Sequence, residues 1–285
     1  MGSRGPLGLI AGAGALPRLV ARSARARGER VVAVAYEGFA DPDLGGEVDR
    51  METLPVGQVE ALVAWLRGQG VRRAGLVGRV PKEELFRDLS RLRFDDTARA
   101  LLAGLPDRRD HSILGAVADL LARRGIELAP QGELAPELVA GVGRLAGPVP
   151  DGALRADLAF AWPIARQVAA LQIGQTVVVK GACVLAVEAV EGTDAAIRRG
   201  SELGGGGALV VKVARPGHDP RFDLPVVGPA TLELLAEHRA SGLAVEAGST
   251  LLLERERWLG LAEEAGISVV GVPGAGPPVP GSGPG

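Results

Sequence analysis

Short β-type runs alternate with helical patterns through the first half of the chain. The apolar run Leu7–Ala11 ends in a glycine turn, and the apolar positions from Leu16 onward have helical spacing. A second β-rich run covers Arg30–Tyr36, and the helical pattern of Gln58–Arg67 precedes a third run at Ala74–Val77. Strands that alternate with helices in this way favour a parallel, doubly wound sheet. We therefore predict a chain of the α/β class.

The second half begins after a stretch that is rich in Gly and Pro and has little periodicity. A helical pattern follows at Ala153–Leu171, and Pro163 is expected to kink or split that helix. Two β-rich runs, Thr176–Lys180 and Cys183–Glu188, are separated by two small residues, which predicts a hairpin. The predicted organisation is an N-terminal domain (1–135), a linker (136–152), a C-terminal α/β domain (153–272) and a disordered Gly/Pro tail (273–285).

Composition and charge exclude several classes of protein. The chain has 285 residues with 32 basic and 34 acidic side chains, so its net charge of −2 provides no basic field for nucleic acid. Its one cysteine, Cys183, excludes a disulfide framework, and apolar neighbours predict a core position for it. No apolar window reaches the roughly 18 residues of a membrane span, and the first residues do not form a secretory leader. We expect a cytoplasmic protein.

Only three of the 32 basic residues are lysines, namely Lys82, Lys180 and Lys212. Arginine does not replace lysine where a compact ammonium charge is needed. Lys180 ends a predicted strand, and Lys212 opens the charged segment described below. We predict that all three lysines lie beside the functional site.

The glycine turn after the first predicted strand has the spacing Gly12-x-Gly14. Glycines let a ligand approach the backbone, and the N–H groups at a helix start attract phosphate. Glu37 ends the second predicted strand, where the ribose-binding acid of a dinucleotide site lies. Pro17, however, occupies the position of the third glycine of that fingerprint. The turn therefore leaves open a phosphate site, an NAD(P) site and a turn without a ligand.

A second candidate site is the charged segment Lys212–Pro225, between a predicted strand end and the next helix. Loops in this position carry the chemistry of many α/β proteins. Lys212 and Arg221 can neutralise phosphate oxygens, and Asp219 or Asp223 can hold Mg²⁺ or orient a water molecule. The alternative interpretation is a solvated, charged loop.

A predicted helix start lies at Glu191-Gly-Thr-Asp194. Thr193 or Asp194 can cap that helix, and its first backbone N–H groups can bind an anion. Capping without a ligand is the alternative interpretation.

Five segments of the chain occur in the same order in a known family. They are GLIAGAGALP (8–17), IGQTVVVK (173–180), VEAVEGTD (187–194), DLPVVG (223–228) and VEAG (245–248). Together they closely resemble the LpxI-type UDP-2,3-diacylglucosamine pyrophosphatases of lipid A biosynthesis, over nearly all of the chain. The EGTD and DLPxxG segments are the most specific of the five.

The resemblance implies an N-terminal Rossmann-like domain and a C-terminal α/β domain with a mixed sheet, with the active cleft between them. It implies Mg²⁺-dependent hydrolysis of the pyrophosphate bond of UDP-2,3-diacylglucosamine to 2,3-diacylglucosamine 1-phosphate and UMP. It also implies transient contact with the inner membrane face, because the substrate is acylated. A homodimer is compatible with the family, but the sequence identifies no interface.

Carried over by position, Asp223 matches the acid that the family needs for catalysis. Whether its carboxylate binds Mg²⁺ or accepts a proton from water stays open. Lys212 and Arg221 are the cationic candidates beside it. The positions that match substrate-contacting segments are Gly12, Ala13, Gly78, Gln175, Thr193 and Asp194. The backbone N–H groups of Gly12 and Ala13 are expected to bind substrate oxygens.

Alternative functions follow from the same residues. The chain can be a hydrolase for another UDP-linked lipid or sugar, or a sensor that binds such a molecule without turnover. An NAD(P)-dependent oxidoreductase that uses Gly12, Gly14 and Glu37 is a further alternative, against which Pro17 counts.

Overall fold

The computed structural model describes residues 5–80, 92–107 and 109–275. The chain divides into two compact units. Unit 1 is built from the chain up to Pro136 together with Asp219–Asp223. Unit 2 is built from Glu137–His218 and the chain from Leu224 onward. A five-residue piece of the second half of the sequence therefore belongs to the first unit.

Unit 1 contains a five-stranded parallel sheet. Its strands are β1 (Leu7–Ala11), β2 (Val31–Tyr36), β3 (Arg50–Leu54), β4 (Arg73–Val77) and β5 (Glu127–Leu128). Their order in the sheet is β3-β2-β1-β4-β5. This is the order of the first five strands of a Rossmann-type doubly wound sheet. Because β1 and β4 are neighbours, the loops that follow them lie at the same edge of the sheet.

Helices cover both faces of this sheet. They are α1 (Leu16–Ala26), α2 (Val59–Gly68), α3 (Asp96–Ala103), α4 (Asp110–Arg123) and the short α5 (Gln131–Leu134), with a 3₁₀ helix at Pro42–Glu47. On one face, Ile10 and Val34 of the strands pack in a buried cluster with Leu66 of α2 and Leu121 of α4. On the other face, α1 contacts β1, β2 and α5. The strand side chains alternate between the two faces, as the pleat of a strand requires.

Unit 2 contains a six-stranded mixed sheet and a separate parallel pair of two-residue strands, β10 with β12. The order of the large sheet is β6-β13-β11-β9-β7-β8. β9, β11 and β13 are parallel, whereas β6, β7 and β8 pair in antiparallel fashion. The strands are β6 (Gly143–Ala146), β7 (Thr176–Lys180), β8 (Cys183–Val187), β9 (Leu209–Lys212), β10 (Val226–Val227), β11 (Gly242–Glu246), β12 (Leu251–Leu252) and β13 (Ser268–Val272).

Two apolar layers enclose the large sheet. Its helices are α6 (Gly152–Ala170), α7 (Thr193–Gly204), α8 (Pro229–Glu237) and α9 (Arg255–Glu264), with a 3₁₀ helix at Pro136–Leu138. Val177 and Val211 face α6, where they pack around Trp162. Val178 and Val210 face the other side and join a cluster with Trp258 of α9. Successive buried side chains along these strands point to opposite faces of the sheet, so a core forms on each face.

The α/β class and the mixed second sheet are confirmed, and the predicted hairpin is the antiparallel pair β7–β8. Gly181 and Ala182 join these strands with φ angles of 58° and 55°, and the Asp157 carboxylate accepts hydrogen bonds from both of their N–H groups. A turn with two positive φ angles matches the twist of the strands that it connects.

Three details of the sequence analysis are corrected. The predicted linker 136–152 is structured, because β6 lies within it and pairs with β13 at the edge of the large sheet. Pro163 does not split α6, which continues to Ala170 because its buried face packs along the sheet. Cys183 is exposed, at the start of β8, which is one of the two edge strands of the large sheet. In the predicted disordered tail, 276–285 lie outside the described residues.

None of the helices in the described part of the chain has the length and apolar character that crossing a bilayer requires.

Candidate active site

One edge of the sheet in unit 2 brings together three of the predicted site residues. β7 runs antiparallel to β9, so Thr176 at the start of one strand pairs with Lys212 at the end of the other. Gln175 precedes Thr176, and its carbonyl accepts a hydrogen bond from Val213 N at 3.0 Å. Lys212 Nζ donates to Thr193 Oγ1 at 3.1 Å. Gln175, Thr193 and Lys212, which are far apart in sequence, are therefore neighbours at this edge.

The start of α7 carries no side-chain cap. Its N-cap residue is Gly192, with φ +86°, and neither Thr193 nor Asp194 caps the helix as predicted. The N-cap position is occupied by Gly192, which has no side chain, and the hydroxyl of Thr193, the first helical residue, donates to Glu188 Oε1 at 2.9 Å. The first N–H groups of the helix therefore have no side-chain acceptor from a cap. Such N–H groups, together with the helix dipole, form an environment that attracts anions.

Lys212 has an unusual electrostatic environment for a lysine. Burial lowers the pKa of its ammonium, while the charges of Glu188 and Asp194 act in the opposite direction. Within the described residues, the bond to Thr193 is the one hydrogen bond of Lys212 that involves a side chain. An ammonium has three N–H donors. Lys212 is thus a partly buried cation whose remaining N–H groups can donate hydrogen bonds to a ligand.

Two acidic residues of this region were missed by the sequence analysis. Glu188 bridges Gln175 and Thr193, because its Oε2 accepts from Gln175 N at 3.1 Å and its Oε1 from the Thr193 hydroxyl. Glu246 is 6% exposed and accepts from Ala214 N at 2.8 Å and from Arg166 Nη1 at 2.8 Å. Both acids belong to segments that carry the family resemblance, VEAVEGTD and VEAG, and that was the signal available in the sequence.

Lys180 does not join this cluster. It lies at the end of β7 opposite to Thr176, a separation of about 13 Å at the usual rise of a strand. Its Nζ is exposed and donates to the carbonyl of Gly204 at 2.7 Å, at the end of α7. The prediction for Lys180 is therefore wrong with respect to this cluster, whereas Lys82 lies outside the described residues.

The glycine turn in unit 1 uses its N–H groups within the protein. Gly12 N donates to Val77 O at 2.9 Å, and Ala13 N donates to Arg79 O at 2.7 Å. These two N–H groups are therefore not available to substrate oxygens, contrary to the prediction. The cause is the close pairing of the loops after β1 and β4, where Ala13 and Arg79 form an antiparallel bridge.

Gly78 has a packing reason to be glycine. Its φ is +82°, and a Cβ atom at this position would lie 2.8 Å from Ala13 O and 2.8 Å from Gly12 C. A side chain would therefore be strained in the backbone and would collide with the neighbouring loop. Gly12 and Gly78 both match substrate-contacting segments of the family, and the contact observed between them is a packing contact of the two loops.

The segment that carries Asp223 packs within unit 1. Pro220 O accepts a hydrogen bond from Gln131 N at 2.8 Å, and Phe222 packs against the core cluster beneath α2 and α4. Asp223 N donates to Asp219 O at 2.9 Å, which closes a tight turn. Asp223 is half-buried. The turn and the packed ring therefore hold Asp223 at a defined place on unit 1.

Arg221 forms an ion pair with Asp219, which belongs to the same segment. Its Nε donates to Asp219 Oδ1 at 2.9 Å, and its Nη2 donates to Oδ2 at 2.6 Å. This ion pair raises the pKa of Arg221, and the charge of Asp119 on α4 adds to the effect. A two-point pair of this kind fixes the guanidinium in one orientation. Arg221 consequently stabilises the turn around Asp223 in this structure.

A cavity of about 420 Å³ lies between α3 and α4 in unit 1. Ala100, Leu101 and Leu105 line one side, and Leu120 and Asp119 line the other. None of the predicted site residues lines this cavity.

The described residues contain no group of three or more His, Cys, Asp or Glu side chains that could hold a metal ion. Asp223 is the carboxylate that the family resemblance assigns to catalysis, and its neighbour Asp219 is paired with Arg221. Mg²⁺ is usually held by one or two carboxylates together with water and the phosphates of its substrate. The donor set thus fits a Mg²⁺ ion that binds with a pyrophosphate, and it does not fit a metal site built from protein ligands alone.

Comparison with known proteins adds the decisive observation. The family model described as the LpxI N-terminal domain matches residues 6–138, and the model described as the LpxI C-terminal domain matches residues 141–270. The chain belongs to the LpxI family. It is also 33% identical to the UDP-2,3-diacylglucosamine pyrophosphatase LpxI of Caulobacter vibrioides, over 93% of this chain and 97% of that protein. The family resemblance inferred from the five sequence segments is confirmed.

Two solved biotin carboxylase structures match this chain with low sequence identity and low TM-scores. The biotin carboxylase domain of the Hydrogenobacter thermophilus 2-oxoglutarate carboxylase is 16% identical, with a TM-score of 0.28, over 62% of this LpxI-family chain and 35% of that chain. The biotin carboxylase of Campylobacter jejuni is 14% identical, with a TM-score of 0.27, over 69% and 41% of the two chains. The chain thus spans about a third of the length of the first carboxylase.

Proposed function

We propose that this LpxI-family chain hydrolyses the pyrophosphate bond of UDP-2,3-diacylglucosamine in the presence of Mg²⁺. The products are 2,3-diacylglucosamine 1-phosphate and UMP. The observation that carries the proposal is the partly buried Lys212 beside the uncapped start of α7, in a chain that belongs to this family. The pyrophosphatase named in the Caulobacter vibrioides relative supports the choice of substrate.

The end of the large sheet at which Gln175, Thr193 and Lys212 meet is called the polar edge of unit 2. It supplies hydrogen-bond donors and positive charge for a pyrophosphate. The ammonium of Lys212 and the first N–H groups of α7 donate hydrogen bonds to non-bridging phosphate oxygens. Donors that are already oriented cost little reorganisation when negative charge increases on these oxygens during the reaction. This cluster therefore binds the substrate and stabilises the transition state.

The hydrolysis itself requires one water molecule. The water oxygen bonds to one phosphorus atom, the bridging P–O bond breaks, and the two phosphate products separate. Asp223 is the carboxylate assigned to this step, either as the acceptor of the water proton or as the ligand that holds Mg²⁺. Mg²⁺ at this carboxylate would neutralise charge on the pyrophosphate oxygens.

The test is release of UMP from UDP-2,3-diacylglucosamine in detergent micelles, with Mg²⁺ or with a chelator. Asp223→Asn keeps the shape of the side chain and removes its charge. We expect kcat to fall by about 100-fold or more, as for loss of a general base or a metal ligand. Glu37→Gln is the control, because Glu37 is exposed and would matter only at a dinucleotide site. It should retain full activity.

The alternatives give different results in the same experiment. Full activity of Asp223→Asn, or no UMP from the wild-type chain, contradicts the proposal. Turnover of a different UDP-linked lipid or sugar in a substrate panel would keep the chemistry and change the substrate. Tight retention of a UDP-lipid without turnover would indicate a sensor, and saturable binding of NADH that Glu37→Gln weakens would indicate an oxidoreductase.

Membrane contact and subunit association are further parts of the proposal. A diacylated substrate resides in a bilayer, so the enzyme would make transient contact with the inner membrane face. Vesicle sedimentation with and without substrate measures that contact. The homodimer stays a prediction for which no interface is assigned.

A further inference from the structure

Glu188 lies at the centre of the polar edge of unit 2, directly after β8. Its backbone N–H donates to Thr176 O at 2.9 Å, which continues the β7–β8 ladder by one pair. Its carboxylate is used at both oxygens, by Gln175 N at 3.1 Å and by Thr193 Oγ1 at 2.9 Å. Its backbone and both carboxylate oxygens thus tie it to β7 and α7.

The hydrogen bond from Thr193 determines how Lys212 is held. A threonine hydroxyl has one proton and two lone pairs. Because the proton is donated to Glu188, the lone pairs of Thr193 Oγ1 are directed toward Lys212 Nζ at 3.1 Å and Thr176 Oγ1 at 3.5 Å. Without the Glu188 acceptor the hydroxyl could rotate, and its proton could point toward the ammonium.

We propose that Glu188 is a positioning residue, which holds the Lys212 ammonium in place through the Thr193 hydroxyl so that its remaining donors meet the substrate phosphates. The proposal rests on the proposed function, because it assigns a role to Glu188 in the same site. Glu188 itself contacts protein groups, so it acts through Lys212.

The charges around Lys212 make the proposal measurable. Glu188 at the end of β8 and Asp194 on α7 both raise the pKa of Lys212, against the lowering effect of burial. On the neighbouring strand β11 the acid is Glu246, whose carboxylate is paired with Arg166. Removal of the Glu188 charge should therefore lower the pKa of Lys212 further, since less negative charge opposes the cost of burial.

The experiment uses the small number of lysines in the full-length chain. Lysine labelled with ¹³C at Cε gives three lysine signals, and Lys212→Arg identifies the signal of Lys212. We expect this signal to titrate at a lower pH in Glu188→Gln than in the wild-type chain. Glu191→Gln is the matched control, because Glu191 belongs to the same segment but pairs with Arg199. It should leave the titration unchanged.

A kinetic measurement on the same variants tests the link to function. In Glu188→Gln, kcat/KM should fall about tenfold through loss of positioning, and its alkaline limb should move to lower pH with the Lys212 titration. Thr193→Val breaks the same link while Glu188 keeps its charge. It should also lower kcat/KM, and it should lower the pKa of Lys212 because the ammonium loses the hydroxyl oxygen that accepts its hydrogen bond. Thr193→Ser keeps the hydroxyl and should restore both values.

An unchanged Lys212 titration in both Glu188→Gln and Thr193→Val overturns the inference. So does an unshifted pH profile in variants that hydrolyse the substrate. If the wild-type chain releases no UMP, the proposed function fails, while the titration still decides whether Glu188 controls Lys212. The two failures are therefore distinguishable.

Discussion

At the scale of single residues, Lys212 is held at a cost to stability. Because folding lowers its pKa, the unfolded chain binds more protons than the folded chain between the folded pKa and the ordinary value near 10.4. The free energy of unfolding of the wild-type chain should therefore rise with pH through this window. In Lys212→Met the rise should be absent, whereas hydrolysis should fall about 100-fold through loss of the cation.

Urea unfolding between pH 7 and pH 10, together with UMP release, measures both effects. Lys180→Met is the control, since Lys180 is exposed and its ammonium donates to a helix-end carbonyl. It should retain activity and the pH-dependent rise. A Lys212→Met variant with full activity would remove Lys212 from the binding machinery.

At the scale of elements, α6 contains one position that lacks a backbone hydrogen-bond donor. Pro163 lies inside this 19-residue helix and cannot donate a hydrogen bond to the carbonyl of Ala159. The proline ring faces solvent, while Trp162 and Ala165 on the other side are buried. Pro163→Ala should therefore raise the free energy of unfolding by about 1–3 kcal/mol. Urea unfolding checks this increase.

Gln167→Ala is the control for α6, because Gln167 is exposed one turn later on the same helix. It should change the free energy of unfolding by less than about 0.5 kcal/mol. A destabilised Pro163→Ala variant would show that the helix requires the proline conformation.

At the scale of the whole molecule, sequence halves and folded units do not coincide. Phe222 comes from the second half of the chain but packs in the core of unit 1, whereas Phe160 of α6 packs in unit 2. Phe222→Ala should lower the stability of unit 1 by about 1–3 kcal/mol, because the ring is only partly buried. Hydrogen exchange should then accelerate in β1, β2 and β4.

Phe160→Ala is the matched variant and should accelerate exchange in β9, β11 and β13 instead. The same mass-spectrometric experiment compares both variants with the wild-type chain. Faster exchange in β9 and β11 of Phe222→Ala, with β1 and β2 unchanged, would contradict the assignment of this segment to unit 1.

Local patterns predicted the elements well because their causes are local. The continuous apolar runs of β1 and β2, and the small residues at 181 and 182 between two β-rich runs, depend on neighbours only a few positions away. Family resemblance pointed to Gln175 and Thr193 as separate positions, whereas their proximity to Lys212 comes from the antiparallel pairing of β7 with β9 and from the Lys212–Thr193 hydrogen bond.

Other features could not be predicted because they depend on partners distant in sequence. The Ala13 N–H is used by Arg79, and that pairing exists only because β1 and β4 are adjacent in the sheet. The N-cap position of α7 falls on Gly192 and the Thr193 hydroxyl donates to Glu188, and residue type alone decides neither of these. Lys180 shares a strand with Thr176 but lies at the other end of it.

The sequence by itself determined the α/β class, the family and the residue types of the candidate site. These follow from periodicity, glycine and proline positions, and the order of short motifs, all of which are carried along the chain. The tertiary structure decided that 219–223 belongs to unit 1, that the Gly12 and Ala13 N–H groups are used internally, and that Glu188 connects to Lys212. The physical reason is that each donor and acceptor takes the partner that packing brings within about 3 Å, whatever its distance along the chain.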